Sequence, residues 1–330
     1  MTANIFACKD GILRVHMIAH EEDVKKSDAF LLEYNGVCIL IDGGLGVSGA
    51  TLRYLLDIRR AMLSEHAELL DDTSCRLRIH VMVSHFHNDH VAALYTGIFC
   101  SPYIEVETLY LPPDSELHAS YGPNGDSKYR PPLAKALGSH QPQARIITHG
   151  FGAENRFSFS MVPENPASPT VTVCPPTVNY GSDEMVARMI DMYCREDSDH
   201  HNVPTLVLNN NSDWFHIRYG SRTFLFTGDT VKKPRQSTEE ALDEMLCAYG
   251  PILGQFDVVK YVHHGFRRDA AAEAMLSLSP RYIVLTTAVA TAQEAICEKF
   301  PDSVAKLLNC ALQSYVFSAD GETLSVIPKI

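Results

Sequence analysis

The chain has 330 residues, 45% hydrophobic and 21% charged, with a formal net charge of −12. That length suffices for one large domain or two modest ones, and the acidic balance argues against a broad nucleic-acid face or attachment to anionic membranes. No apolar run approaches the ~18 residues of a membrane span, and the N-terminus lacks a basic start followed by a long apolar stretch. The nine cysteines, an odd number with no Cys-x-x-Cys pair, read as reduced thiols of a cytoplasmic protein, not as a disulfide frame.

Residues 12–18 alternate as a strand. Residues 29–34 form a second strand, which Asn35–Gly36 turns into a third at 37–41. The third is apolar throughout, so it is expected to be buried on both faces. It ends in Asp42–Gly43–Gly44, a carboxylate followed by residues free to turn sharply. Asp42 suits either a simple turn or the orienting of a ligand histidine. Residues 51–70 carry a helical pattern with His66 late in it, where a surface or capping role is expected.

A further strand, 79–83, leads into Ser84–His85–Phe86–His87–Asn88–Asp89–His90, three histidines and an aspartate in six residues. Imidazole nitrogen and carboxylate oxygen are the donors that borderline divalent metals prefer. His85 and His87, two apart at a strand end, can point the same way. Asp89 and His90 follow where a helix should begin. Two ligand pairs on one loop can serve two adjacent metals.

Residues 100–156 read as strand, long loop, short helix (133–137) and strand (146–149). Tyr121, Lys128, Tyr129 and Arg130 either reach over a substrate or belong to an ordinary solvated loop. A strand at 171–174 ends at prolines, and an amphipathic helix spans 183–194. A polar loop follows with His200 and His201, then 205–208 leads into Asn209–Asn210–Asn211–Ser212, the start of the next strand region. Strands at 214–219 and 223–227 end at Gly228–Asp229–Thr230. A helix at 239–249 precedes the strand 257–262, which closes in His263–His264–Gly265. Helix 270–278, strand 282–285, helix 291–308 with a break at Pro301, and a hairpin of 313–317 with 323–327 complete the chain.

The pattern His85-x-His87-x-Asp89-His90, then Thr227–Gly228–Asp229, then His263–His264–Gly265 resembles the metallo-β-lactamase superfamily. Residues 29–33, Ile39–Leu40–Ile41–Asp42–Gly43–Gly44, Asn210–Asn211–Ser212 and Asp320–Gly321 extend the resemblance to the hydrolase domain of the competence protein ComEC and its soluble relatives. The resemblance implies an α/β fold of four layers, an αββα sandwich of two mixed sheets flanked by helices. It would be one domain over 1–330 with a loop-rich insertion at about 100–160.

Carried over, His85 and His87 would bind one metal, Asp89 and His90 a second, and Asp229 would bridge them. His264 would be the last ligand, with His263 as the alternative. Asp89 and His264 would be the catalytic pair, Asp89 orienting a hydroxide. Asn211 would contact substrate. Arg267 and Arg268 would neutralise a phosphate or form a solvated basic turn. Relatives often carry one more histidine where this chain has Asn209–Ser212; His149, His200 or His201 could compensate. After strand 282–285 the chain has Thr286–Thr287 in place of the relatives' Asn and His-Pro.

Two divalent ions, zinc by donor type with manganese or iron as alternatives, lower the pKa of bound water from ~15.7 to ~7 and suit phosphodiester hydrolysis. The expected substrate is a small anion such as a nucleotide or short nucleic acid, with no membrane partner. Hydrolysis of a lactam, lactone or thioester is the alternative. A non-catalytic sensory protein with a depleted site is a third reading.

Overall fold

The computed structural model describes residues 9–20, 26–46, 49–113, 133–187, 203–230, 241–265, 271–289, 294, 296, 298, 300, 305–311 and 313–329. Two sheets dominate it. The first contains β1 (Leu13–Met17), β2 (Phe30–Tyr34), β3 (Val37–Ile41), β4 (Leu77–Met82), β5 (Ile104–Leu111), β6 (Arg145–Thr148), β14 (Tyr315–Ala319) and β15 (Leu324–Pro328), in the order β15-β14-β1-β2-β3-β4-β5-β6. The second contains β7 (Phe157–Ser160), β8 (Thr170–Cys174), β9 (Trp214–Tyr219), β10 (Arg222–Phe226), β11 (Val258–Lys260), β12 (Tyr282–Leu285) and β13 (Lys306–Asn309), in the order β13-β12-β11-β10-β9-β8-β7. Both are mixed. β1 to β3 pair antiparallel and β3 to β6 parallel, while β7 to β10 pair antiparallel and β10 to β13 parallel.

Strand pleating explains the layering. In β3 the side chains of Cys38 and Leu40 join a cluster with Tyr54, Leu55 and Ile58 of α1 (Ala50–Met62), while Ile39 and Ile41 face the other sheet. A strand buried on both faces needs no polar alternation, hence its apolar run. Between the sheets, Val15, Phe30, Leu32, Ile39 and Ile41 meet Val171, Phe215, Phe224 and Phe226. The Phe30 and Phe226 rings lie 4.7 Å apart. On the far face of the second sheet, Trp214, Leu225, Val259 and Ile283 are covered by Leu242, Met245 and Tyr249 of α5 (Ala241–Leu253) and Met275 of α6 (Ala272–Ser277). The layers therefore run helix, sheet, sheet, helix.

Three further helices are α2 (Asn88–Ala93), α3 (Leu133–His140) and α4 (Val203–Asn210). The helical pattern of 51–70 resolves into α1 and a separate 3-10 turn, Ala67–Leu69, beside which the half-exposed His66 pairs with Glu68. Two elements differ from expectation. The stretch 291–308 is helical at 294, 296 and 298, but Lys306–Asn309 is β13, because pairing parallel to β12 satisfies its backbone along the sheet edge. Asn209 and Asn210 close helix α4 instead of opening a strand, and β9 begins only at Trp214. Residues 183–187 of the expected helix are helical, and 188–194 lie outside the described residues. Among the described residues six cysteines are free, with Cys38, Cys75, Cys174 and Cys310 buried, and no helix is long and apolar enough to cross a membrane.

The carboxyl ends of β3, β4, β10, β11 and β12 deliver Asp42, Ser84, Asp229, His263 and Thr286. Parallel strands from both sheets end there together, which is where open α/β sheets place their ligands.

Candidate metal centre

The loop after β4 runs extended through His87, whose φ of −68° and ψ of 150° make it the residue before α2. This backbone turns His85 and His87 toward each other, with His85 Nε2 and His87 Nδ1 3.0 Å apart. Asp89 and His90 then fall in the first turn of α2.

The Asp42–Gly43–Gly44 turn holds that helix in place. Asp42 adopts a left-handed φ of 56°, a conformation Asp tolerates better than most residues. One of its oxygens accepts from Ser84 N–H at 2.7 Å; the other accepts from Ser84 Oγ at 2.7 Å and lies 2.8 Å from His90 Nδ1. The Gly44 N–H donates to the carbonyl of His90 at 3.0 Å. A Cβ on Gly43 would stand 2.7 Å from Leu94, so the turn can approach α2 this closely only as glycine. The Thr51 hydroxyl donates to Gly43 O at 2.7 Å, anchoring α1 to the same turn.

The second sheet supplies the other half. Gly228 has a φ of 54°, and a Cβ there would meet Ser212 at 2.7 Å. Beyond it the Asp229 N–H donates to Ser212 Oγ at 3.1 Å, and the side chain is wholly buried. His263 and His264 both take left-handed φ values, 48° and 60°. Two consecutive non-glycine residues in that region are costly, and the surroundings must over-determine them. They turn His264 inward, where its Nδ1 lies 2.8 Å from Asp28 Oδ1 and 3.0 Å from Thr286 Oγ1.

Two groups of donors result. His85, His87 and Asp229 form one, and Asp28, His90, Asp229 and His264 the other, with ligand atoms within 4.8 Å of one another in each. Asp28 is the exception in chemical terms. Its oxygens are taken up by His264 Nδ1, Thr286 Oγ1 and Lys260 Nζ, so it orients His264 instead of presenting a donor. Asp89 lies beside this group, with Oδ2 3.2 Å from His264 Nε2. Asp229 is common to both groups: Oδ2 lies 3.8 Å from His85 Nε2 and 3.1 Å from His264 Nε2, while Oδ1 lies 3.3 Å from His90 Nε2.

The donor set fits divalent ions. His90 Nε2, His264 Nε2 and Asp229 Oδ2 are buried with no hydrogen bond of good geometry, a cost that a shared cation removes. Burial holds His85 well below its usual pKa and brings His87 to about 4 and His263 to about 3. These rings are neutral at pH 7 and carry the lone pair that ligation needs. Burial pulls His264 down too, but Asp229 and Asp28 outweigh it and hold that ring at about 9; Asp229 and Asp42 likewise raise His90. In the metal-free protein those two imidazoliums balance the carboxylates, and loading releases their protons.

Both oriented histidines follow one rule: the outward ring nitrogen is held by a carboxylate, leaving the inward one fixed in direction. Asp42→Asn keeps the turn, because Asn tolerates the left-handed backbone, but it loses the anionic acceptor for His90. Zinc affinity, read by competition with a chromophoric chelator, is expected to fall about 10- to 100-fold. An unchanged affinity would show that His90 needs no such anchor.

His85, His87, Asp89, His90, Asp229 and His264 thus meet at one point, with Asp42 behind His90. His263 lies at the rim, Nε2 3.9 Å from Asp229 Oδ2. His149 is turned elsewhere, 2.8 Å from Asp213 Oδ2. Asn211 is buried, with its amide oxygen accepting from Tyr180 N–H at 3.0 Å. Tyr121, Lys128, Tyr129, Arg130, His200, His201, Arg267 and Arg268 lie outside the described residues.

Sequence reasoning missed Asp28, Lys260 and Lys26. Lys260, an ammonium in an apolar strand, carried a signal; Asp28, just before an apolar strand, carried none that pointed to His264. Lys26, whose side chain is 35% exposed, places Nζ 2.9 Å from Asp89 Oδ2.

No protein-family model matches this sequence, and no curated protein matches it either. Solved structures do. Unliganded yeast PDE1 superposes with a TM-score of 0.52 at 11% identity, covering 91% of this chain and 97% of that one. The metallo-β-lactamase fold protein YhfI from Bacillus subtilis gives 0.45 at 12% identity over 93% and 99%. Tm1679, a metal-dependent hydrolase of the β-lactamase superfamily, gives 0.45 at 11% over 96% and 100%. At these identities the likeness is one of fold. Two mixed sheets face to face with helices outside are the metallo-β-lactamase fold, as the sequence pattern implied.

Proposed function

We propose that this protein is a metal-dependent hydrolase that cleaves phosphodiester bonds in small anionic substrates such as nucleotides or short nucleic acids. The observation that carries this reading is the sharing of Asp229 by two donor groups, His85 with His87 and Asp28 with His90 and His264, with Asp89 beside the second. Two divalent ions held by these residues, zinc by donor type, would supply hydroxide near neutral pH and would neutralise charge on attacking and leaving oxygens. Asp89 orients the nucleophile, and His264, held by Asp28, is fixed beside it.

The solvent-facing rim supports an anionic substrate. Among the described residues its side chains include Lys26, His263 and Asp89, exposed by 35%, 12% and 11%. The Lys26 ammonium, bridged through its backbone to Thr287, overhangs the carboxylate of Asp89. An anion arriving there meets positive charge from the lysine as well as from the ions. Lys26→Met is therefore expected to raise KM for bis-p-nitrophenyl phosphate about tenfold, the loss shrinking at 0.5 M salt as screening removes the wild-type advantage. Lys26→Arg should recover most of it. A KM unaffected by Lys26→Met removes the lysine from substrate binding.

The function is tested by metal analysis of purified protein alongside turnover of bis-p-nitrophenyl phosphate and nitrocefin. Bound metal with phosphodiester turnover is the expected result. Turnover of nitrocefin alone would replace the reading with lactam chemistry. Absence of both metal and turnover would leave the fold with a non-catalytic role.

A further inference from the structure

Lys260 closes β11, an interior strand of the second sheet, and its side chain is entirely buried. The ammonium has three partners. It donates to Gly228 O at 2.7 Å, and it pairs with Asp28 Oδ2 at 2.5 Å and Asp229 Oδ1 at 3.3 Å. It therefore stands between the carboxylate that orients His264 and the carboxylate that both donor groups share. A hydrogen bond to Gly228 O alone could be made by a neutral side chain. Burying a full charge there is costly unless the charge itself is used.

We propose that Lys260 is a resident cation of the metal centre: it holds the buried carboxylates in place before metal arrives and, sharing Asp229 with the ions, loosens their binding. The proposal rests on the two-ion reading above. By engaging Asp229 Oδ1, the ammonium directs Oδ2 toward His85, His263 and His264. Four carboxylates crowd the centre, Asp28, Asp42, Asp89 and Asp229, all buried. Lys260 offsets part of that charge permanently, so the fold does not depend on metal for it. Like-charge repulsion in a site with little water then limits how tightly cations are held.

Lys260→Met matches the side chain in length and removes only the charge and its hydrogen bonds. Zinc affinity by chelator competition and thermal melting with and without EDTA are the readouts, and neither depends on turnover. Lys260→Met is expected to bind zinc at least tenfold more tightly than wild type and to gain more in Tm on loading, since the metal now does what the lysine did. Lys260→Arg, which keeps the charge, should resemble wild type. Weaker zinc binding in Lys260→Met, or equal loss of Tm in the metal-free and loaded forms, would overturn the proposal and leave Lys260 a scaffold residue.

If Lys260→Met fails to fold, the wild type still decides. Its EDTA-treated form should melt cooperatively with an unchanged far-ultraviolet circular dichroism spectrum, and a metal-free wild type lacking that transition would refute a resident cation. Failure of wild type to bind zinc, manganese or iron would remove the metal-centre reading and this proposal with it. Metal binding without hydrolysis would remove only the former reading's chemistry.

Discussion

Asp229→Asn is expected to lower turnover of bis-p-nitrophenyl phosphate at least ~10³-fold, an activation cost of ~4 kcal/mol, and to reduce bound metal from two ions to one or none. Among the described residues Asp229 is the one side chain shared by both donor groups, with Oδ2 facing His85 and His264 and Oδ1 facing His90. Removing its charge therefore disturbs both groups together, whereas loss of His85 or His90 would disturb one. Asparagine is the informative replacement because of Lys260. Alanine would strip a partner from a fully buried ammonium, and breaking a buried pair destabilises by about 3–5 kcal/mol, confusing chemistry with folding. Asparagine fills the same volume and still offers an oxygen to Lys260. Metal content by elemental analysis, beside the melting curve, separates the two effects. An Asn variant that keeps two ions and near-wild-type turnover would show that Asp229 does not connect the sites.

How much of this centre could be read in advance depends on where its partners lie along the chain. His85, His87, Asp89 and His90 are visible because one tight turn brings them together, so residue type and spacing carry the geometry. Asp229 and His264 are visible because each follows an apolar strand and a recognisable short pattern. Asp28 is different. It is 236 positions from His264, and nothing local marks it as that ring's acceptor; only the pairing of the two sheets places one beside the other.

Lys260 had a local sign, a charge in an apolar strand, but its meaning required knowing that Asp28 and Asp229 flank it. The fold shows the same division. Strands with strong alternation or unbroken apolar runs were legible. β13 was not, since Lys306–Asn309 continues a helical pattern and becomes a strand only through its parallel pairing with β12. β7, the sequence Phe-Ser-Phe-Ser, is short and depends on β8 for its pairing. His149 looked like a spare ligand, yet its nearest anionic neighbour is Asp213.

Asp89→Ala is expected to abolish activity, by ~10³-fold or more, while the fold survives. The two halves of that expectation rest on different atoms. The backbone of Asp89 does the structural work: its carbonyl accepts from Asp28 N–H at 3.0 Å and from Ser27 Oγ at 3.2 Å, tying the metal loop to the segment that carries Lys26 and Asp28. Alanine keeps both bonds. It also favours the first turn of α2, giving up the acidic side chain's interaction with the helix N-terminus, worth about 0.3–1 kcal/mol, together with its contacts to Lys26 and His264. The side chain does the chemical work. Its Oδ2 lies 3.2 Å from His264 Nε2 and 2.9 Å from Lys26 Nζ, so it is a carboxylate beside the second donor group that also reaches the solvent-facing rim. Without it His90 and His264 keep only Asp229 as an anionic partner at that ion, and nothing holds the nucleophile in line. The variant should melt within a few degrees of wild type, retain the His85–His87 ion, and show no turnover above background. A fully active Asp89→Ala protein would remove Asp89 from the mechanism, and an unfolded one would mean that its charge, not its carbonyl, secures the loop.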